Sequence, residues 1–233
     1  MILTPIPPER LPATLRRFRD GLRPDFARDA FDRIAATSPD RAEGDLAERH
    51  RQEALRIARS VGMGVASEPR GSSLSWDGAL LRPDTEAYVL LHEVAHFQLA
   101  SPARRRVIDF GLGAGPDTLD RGAADRAAML TPLAADREEA LVSLLGILWE
   151  TALGHPALAS FLDQNWLEGV GGVRAAAHFE NVLHQLEVGG FVDEVGRPTT
   201  LLRTTEDTPG SLRVSALRPR CRLPSRRSAG GRH

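Results

Sequence analysis

The chain has 233 residues and a formal net charge of −1, and hydrophobic residues make up 42% of it. This length allows one large domain with appendages, and because aromatic residues are only 5% of the sequence, the core must rely on Leu, Val and Ala. The near-neutral charge argues against a nucleic-acid-binding surface over the whole protein, so we expect no specific nucleic-acid partner. The single cysteine, Cys221, excludes an intramolecular disulfide and a cysteine-based zinc site.

The sequence offers no clear membrane or export segment. Prolines interrupt Met1–Arg10, where a signal peptide would need an apolar core. The longest apolar run, 140–149, is about half of the ~20 residues needed to span a bilayer. We therefore predict a soluble, cytoplasmic protein with no membrane partner.

Apolar residues at helical spacing predict a helical N-terminal part. Pro24 divides the pattern over 11–36 into two short helices, since proline cannot continue the hydrogen-bond ladder. The segment 45–61 reads as a charged amphipathic helix, in which His50 is expected to be a solvated surface residue. Residues 72–76 and 79–81 predict two short strands in a hairpin. Asp84 or Thr85 is then expected to cap the helix that follows.

The segment 90–99 carries the strongest functional signal. His92 and His96 are four residues apart, so on a helix they project from one face. Two neutral imidazoles placed in this way can reach one divalent metal at ~2.0–2.1 Å. Glu93 is placed to act on a water or substrate at that metal and not to bind it. The pattern predicts a metal site, with a core helix carrying two hydrogen-bonded histidines as the bland alternative.

A metal held by this motif needs a third protein ligand, and a glutamate on the next long helix is a common solution. Glu138 and Glu139 stand near the start of a predicted helix from Asp136, where acids are also favoured by the helix macrodipole. Glu138 shares a stripe with large apolar residues, which predicts burial. Glu139 shares one with smaller and more polar residues, which could line a cavity. Either carboxylate is a candidate.

The segments around this helix pair add several secondary candidates. Residues 104–106 form a basic run that either is a solvated face or binds an anion or a carboxylate. The glycine-rich stretch 110–117 lacks the preceding strand and the G-K-[ST] ending of a phosphate loop, so we reject a nucleotide site. We interpret 121–133 as a polar connector. Beyond it, 157–169 and 175–188 predict helices, with His155 structural in the turn before them and with His178 and His184 on different sides of the second one.

Several motifs together resemble the elongation factor P hydroxylase family. The resemblance covers roughly 68–202 and is carried by His92-Glu93-x-x-His96, Ala103-Arg104-Arg105, Val107-x-Asp109-Phe110-Gly111, Pro116-Asp117, Glu139 at the family's interval before Gly154-His155-Pro156 (a Gly-aromatic-Pro in the family), Asn165-x-Leu167-Glu168-Gly169, His184 and Arg197-Pro198. Residues 112–115 replace the aromatic and cysteine residues of the family, in a region that helps to shape the substrate pocket.

The resemblance implies a metal-dependent oxygenase, with Fe(II) favoured over Zn(II), that uses O2 to hydroxylate a modified lysine side chain on a translation factor. It points to Glu139, not Glu138, as the third ligand, and it brings His184 near the site. Asp109 either orients a metal-bound imidazole or pairs with Arg104 or Arg105. The predicted groups around the metal or the substrate are therefore Asp109, Arg104, Arg105, His184 and Glu138.

Two other functions fit the same residues. A zinc-dependent peptidase or other hydrolase would use Glu93 as general base for a metal-bound water. A metal-stabilised interaction protein without chemistry is the third possibility. For the fold, we predict a mainly α protein with a small β hairpin or sheet: a helical extension over 1–65, a zincin-like metal-binding domain over 66–205, and a disordered, Arg-rich tail over 206–233.

Overall fold

A computed structural model of the chain describes residues 6–67, 75–114, 118 and 120–207. Within these ranges the protein is mainly helical with one small parallel sheet, which confirms the predicted fold class. The elements are α1 (Leu11–Gly21), α2 (Asp25–Ala35), α3 (Gly44–Ser60), β1 (Gly64–Val65), β2 (Leu80–Leu81), α4 (Ala87–Leu99), α5 (Arg121–Ala127), α6 (Pro132–Leu153), α7 (Ala157–Asp163), α8 (Glu168–Gly171) and α9 (Val173–Val188).

Some of the sequence predictions fall outside these ranges. They are the disordered tail from 208 onward, the first part of the hairpin over 72–74, and residues 115–117 of the glycine-rich stretch.

Proline, threonine and glycine set the boundaries of the helices. Pro24 separates α1 from α2, as predicted, and stands at the N-cap of α2. α6 begins at Pro132 and not at Asp136, because the Thr131 hydroxyl caps it by accepting the N–H of Ala134 at 3.3 Å. It ends at Gly154, whose left-handed φ of 73° closes the helix.

The described part of the predicted hairpin pairs antiparallel, but its second strand also has a parallel partner that was not predicted from the sequence. Residues 79–81 do contain a strand, β2, but it pairs in parallel with β1, which the sequence did not single out. A single antiparallel bridge, between Trp76 and Leu81, is the part of the expected hairpin that occurs in the described residues. Strands this short offer little hydrogen bonding, so the sheet serves to hold the segment before α4 against the end of α3.

Two other local predictions, on the polar connector and on the cap of α4, were wrong. The expected polar connector contains α5, because the Asp120 side chain caps it by accepting the N–H of Ala123 at 3.0 Å. α4 begins after Glu86, which makes no side-chain cap bond. The expected cap residue Asp84 is instead paired with Arg82 at 2.5 Å.

The core is built around α4 and α6, which lie side by side, with α3 against the other side of α4. Gly146 allows the two central helices to approach closely, since a Cβ at that position would lie 3.4 Å from the Cα of His92. The N-terminal helices belong to the same core: the ring of Phe18 lies 4.7 Å from Phe31 and 5.6 Å from Phe161. In the described part of the chain, no helix is long and apolar enough to cross a bilayer.

The C-terminal segment (191–207) is tied to the end of α4 by a fully partnered side-chain amide. Gln98 donates to the carbonyl oxygens of Thr199 and Leu201 at 2.7 and 3.0 Å. Its own oxygen accepts the indole N–H of Trp149 at 2.9 Å. Because Gln98 is completely buried, each of these bonds removes a polar group that would otherwise be left unpaired.

Candidate metal centre

The structure brings His92, His96 and Glu139 together. The two histidines project from one face of α4, and Glu139 approaches them from the second turn of α6. The Nε2 atom of His92 lies 3.4 Å from Oε2 of Glu139, and Nε2 of His96 lies 3.3 Å from Oε1. One ligand atom from each residue lies within 4.8 Å of the other two.

These distances fit a divalent cation. Neighbouring ligand atoms that each lie ~2.1 Å from one ion are ~3.0 Å apart in octahedral and ~3.4 Å apart in tetrahedral geometry. The separations of 3.3 and 3.4 Å fall within that interval. Two imidazoles and one carboxylate suit iron or zinc, so the residues present fit the predicted kind of ion.

The three side chains also polarise one another. Burial alone would raise the pKa of Glu139, but the neighbouring His96 and His92 hold it well below its usual range. Burial likewise opposes protonation of His96, yet Glu139 outweighs it and raises the pKa of His96 to about 9. A cation that enters the site therefore competes with a proton held between His96 and Glu139.

The adjacent Glu138 turns away from this centre and pairs with Arg104. Both are buried, with 3% and 0% of their surfaces exposed. The guanidinium of Arg104 donates two hydrogen bonds to the carboxylate of Glu138, of 3.0 and 2.5 Å. Arg104 also donates to the carbonyl oxygen of Phe110 at 3.1 Å and to Asp207 at 2.8 Å. The basic run was predicted to be either a solvated face or a binder of an anion or a carboxylate, and Arg104 binds a carboxylate of the protein itself.

Arg105 has a tethering contact as well. It donates to the carbonyl oxygen of Phe97, at the end of α4, at 2.7 Å and to that of Arg203 at 2.6 Å. Neither Arg104 nor Arg105 is among the described residues that line the cavity beside the histidines. Both arginines were expected near the substrate. Instead, they connect the end of α4 and the turn that follows it with the C-terminal segment.

Residues 109–111 adopt a strained turn beside the metal centre. Asp109, Phe110 and Gly111 have successive left-handed φ values of 45°, 53° and 67°. For a residue other than glycine this conformation costs ~1–3 kcal/mol and persists where the surroundings impose it. Here the ring of Phe110 stacks between Trp76 and His96, with both ring centroids 5.4 Å away. The turn therefore packs an aromatic wall against one of the two histidines.

Asp109 takes neither of its two predicted roles. Its carboxylate accepts a hydrogen bond from the Thr118 hydroxyl at 3.0 Å, and Arg104 and Arg105 have the partners given above. Nδ1 of His96 is buried and has no hydrogen-bond partner among the described residues, so Asp109 does not orient that ring through it. Instead, Asp109 faces the cavity, and burial raises its pKa.

The face of α4 that carries His92 and His96 forms part of the wall of a cavity of about 910 Å³. Carboxylates dominate the charged groups on this wall, and no arginine lines it within the described ranges. The five acidic residues are Glu93, Asp109, Asp136, Glu139 and Glu168. Burial raises the pKa of Glu93, and the two adjacent imidazoles oppose that rise. The cavity therefore favours a cationic ligand.

The far side of the cavity contains His178, which sequence reasoning set aside, and not His184. His178 lines the cavity and stacks on Trp166 with the ring centroids 5.3 Å apart. The side chain of His184 is 63% exposed on another face of α9, where it lies 3.3 Å from Glu187. The expectation that His184 lies near the site is thus not met. No sequence signal distinguished His178, because its contact with Trp166 depends on how the turn between α7 and α8 packs against α9.

Comparisons with protein-family models, with curated proteins and with solved structures found no match. The family resemblance therefore rests on its motif residues alone. Several motifs that lie far apart in the sequence meet in this cavity, namely the two histidines with Glu93, Asp109-Phe110, Glu139, and Asn165 with Glu168.

Proposed function

We propose that the chain is a metal-dependent oxygenase that hydroxylates a protein side chain, with Fe(II) held by His92, His96 and Glu139. The observation that carries the proposal is the set of two histidines and one carboxylate on the wall of a large acidic cavity. This ligand set is typical of non-haem iron oxygenases, because it leaves coordination positions for O2 and substrate. The iron would supply the activation of O2.

The charge of the cavity supports a cationic substrate. Five carboxylates and no arginine line the described wall, and a volume of about 910 Å³ accommodates a long side chain. A modified lysine that keeps a positive charge is such a side chain, and a modified lysine is the class that the resemblance to elongation factor P hydroxylases implies. A translation factor as substrate means that the protein acts in the cytoplasm. The same charge disfavours nucleic-acid phosphates.

The protein's own groups divide the work of binding and orientation. Glu168 and Asp109 lie on the cavity wall and can pair with the ammonium group of the substrate. Phe110, with 1% of its surface exposed, keeps water from one side of His96. Glu93 has a raised pKa and lies in the same cavity, so it can hold a proton close to the reacting side chain.

The second candidate is a zinc-dependent peptidase, favoured by the position of Glu93. A carboxylate with a raised pKa beside the first ligand can serve as general base for a metal-bound water. An extended peptide substrate commonly binds by pairing with an exposed strand. Within the described ranges both strands have two residues, which leaves little edge for such pairing and favours the oxygenase.

Metal analysis and a mass measurement test the proposal. Protein purified without added metal is loaded anaerobically with Fe(II) and then mixed with air, a peptide that contains an aminoacylated lysine, and ascorbate, which supplies the two electrons that reduce the second oxygen atom of O2 to water. We expect O2-dependent addition of one oxygen atom to the peptide, lost in Glu139→Ala and kept in the exposed control His184→Ala. Stoichiometric zinc with peptide cleavage abolished by Glu93→Gln would instead establish the hydrolase. Absence of bound metal, with stability unchanged in His92→Ala, would reject both enzymes and also the metal-stabilised interaction protein.

A further inference from the structure

A second group of metal-binding side chains lies outside the acidic cavity. His50 and Glu53 stand one turn apart on α3, and His155 lies in the turn between α6 and α7. One ligand-type atom of each residue lies within 4.8 Å of the other two. The family resemblance assigns no role here, since His50 precedes the region it covers and His155 stands where the family has an aromatic residue. The expectations of a solvated His50 and a purely structural His155 missed this contact.

His155 is the buried centre of the group. It has 1% of its surface exposed, and its Nε2 lies 2.8 Å from Oε2 of Glu53. Its Nδ1 is buried as well and has no hydrogen-bond partner in the described part of the chain. Buried polar nitrogens normally have a partner. Within the described residues, one of the two ring nitrogens of His155 therefore makes no hydrogen bond.

The surroundings of the three side chains shift each pKa toward the form that binds metal. Burial lowers the pKa of both His50 and His155, which favours the neutral imidazole. The hydrogen bond from His155 lowers the pKa of Glu53, which is therefore ionised. Metal ions bind neutral imidazoles and carboxylates, so binding here would displace few protons.

A cavity of about 640 Å³ gives access to the two histidines. Its charged lining is more acidic than basic, which favours the entry of a cation. The acidic residues are Glu48, Asp84, Glu86, Glu150 and Asp163, and the basic ones are Arg41 and Arg51.

We propose that His50, Glu53 and His155 bind a zinc ion, which joins α3 to the turn between α6 and α7. Imidazole and carboxylate are customary zinc ligands, whereas Mg²⁺ and Ca²⁺ prefer sites made only of oxygen. The rings of His50 and His155 stack with centroids 3.9 Å apart and an angle of 20° between their planes. To share one ion they must splay, and the half-buried His50 at the cavity wall has room to turn. The proposal does not depend on the oxygenase function.

Zinc binding to a variant without the first site tests this assignment. The full chain carrying His92→Ala and Glu139→Ala is dialysed against zinc chloride, and bound zinc is measured by mass spectrometry of the metal. We expect one zinc ion per chain in this variant and none after adding His50→Ala. Glu53→Gln should weaken binding by more than the ~10–100-fold that loss of an outer contact to a ligand costs. His184→Ala, which removes an exposed histidine paired with Glu187 at 3.3 Å, is the matched control and should retain the ion.

Circular dichroism checks that each variant is folded. If the double variant does not fold, wild type and His50→Ala are compared directly, with two and one zinc ions expected. Cobalt substitution gives a second measurement, because the visible absorption of Co²⁺ should lose the contribution of this site in His50→Ala. The proposal is overturned if the double variant binds no zinc, or if bound zinc is unaffected by His50→Ala. In that case the Glu53–His155 contact is a structural hydrogen bond only.

Discussion

Replacing Glu138 and Glu139 by alanine, one at a time, should separate the stability of the fold from the metal affinity of the cavity. The two residues are adjacent on α6, yet one side chain is 4% exposed against Arg104 and the other is 49% exposed beside the histidines. Glu138→Ala should therefore mainly lower the free energy of unfolding. Glu139→Ala should mainly release the metal.

The magnitudes follow from the contacts. Glu138→Ala removes both bonds, of 3.0 and 2.5 Å, that pair the carboxylate with a guanidinium of 0% exposure. Leaving a buried charge unpaired costs ~3–5 kcal/mol. Because Arg104 keeps its bonds to Asp207 and to the Phe110 carbonyl, we expect ~3 kcal/mol. Loss of the half-exposed Glu139 should cost at most ~1 kcal/mol in metal-free protein, while metal affinity falls more than ~100-fold.

Two measurements on the same proteins check these numbers. Urea unfolding followed by circular dichroism, in the presence of a chelator, gives the free energy of unfolding. Competition with a chromophoric chelator gives the metal affinity of the folded protein. Glu138→Gln is the milder companion, since its amide oxygen can still accept from Arg104. The reasoning is refuted if folded Glu138→Gln loses metal as completely as Glu139→Ala, or if Glu139→Ala is the less stable of the two alanine variants.

Substitutions at three further positions test other features. Burial raises the pKa of Glu150 from the ordinary 4.5 to about 7, so this group stabilises the fold at low pH and the effect is lost as pH rises through that interval. In wild type the free energy of unfolding should therefore fall by at most ~3 kcal/mol between these pH values, and in Glu150→Gln this fall should be absent. Urea titration at several pH values measures it. Gly146→Ala should be tolerated, since its Cβ would lie 3.4 Å from His92, whereas Gly146→Leu should separate α4 from α6 and lower both the melting temperature and bound metal. If the substrate is cationic, Glu168→Gln should raise KM by ~5-fold in a steady-state assay with little change in kcat.

The two histidines of the candidate metal centre could be predicted because their sequence signal is local. His92 and His96 lie one helical turn apart in an apolar segment, and that spacing puts them on one face. The stripe that Glu138 shares with large apolar residues predicted its burial, and the structure buries it. What neutralises the charge, Arg104, lies 34 residues away in sequence. A carboxylate was one possible partner predicted for the basic run 104–106, but the sequence could not indicate which carboxylate.

The features that sequence reasoning missed depend on contacts between distant segments. His50 and His155 come together because α3, which packs on α4, places His50 beside the turn between α6 and α7, and no periodicity relates the two residues. β1 and β2 pair across a long connection, whereas local patterns favour hairpins between neighbouring segments. The family resemblance singled out His184 and not His178, but His178 lies at the cavity because of its contact with Trp166, in the turn between α7 and α8.

Arg104 connects both walls of the metal centre although it lies outside the cavity. Consecutive helical residues point ~100° apart, so anchoring Glu138 fixes the rotation of α6 and thereby the direction of Glu139. The same guanidinium binds the carbonyl oxygen of Phe110, whose ring stacks on His96. Arg104→Lys keeps the charge but cannot reproduce the two-pronged grip.

We therefore expect Arg104→Lys to lower metal affinity by ~10–100-fold, as loss of an outer contact to a ligand does. Competition with a chromophoric chelator measures this affinity in the folded protein. Arg105→Lys is the matched control, because Arg105 contacts backbone oxygens of Phe97 and Arg203 and no carboxylate of α6. Equal metal affinity in the two variants would mean that the direction of Glu139 is set by the packing of α6 on α4 alone.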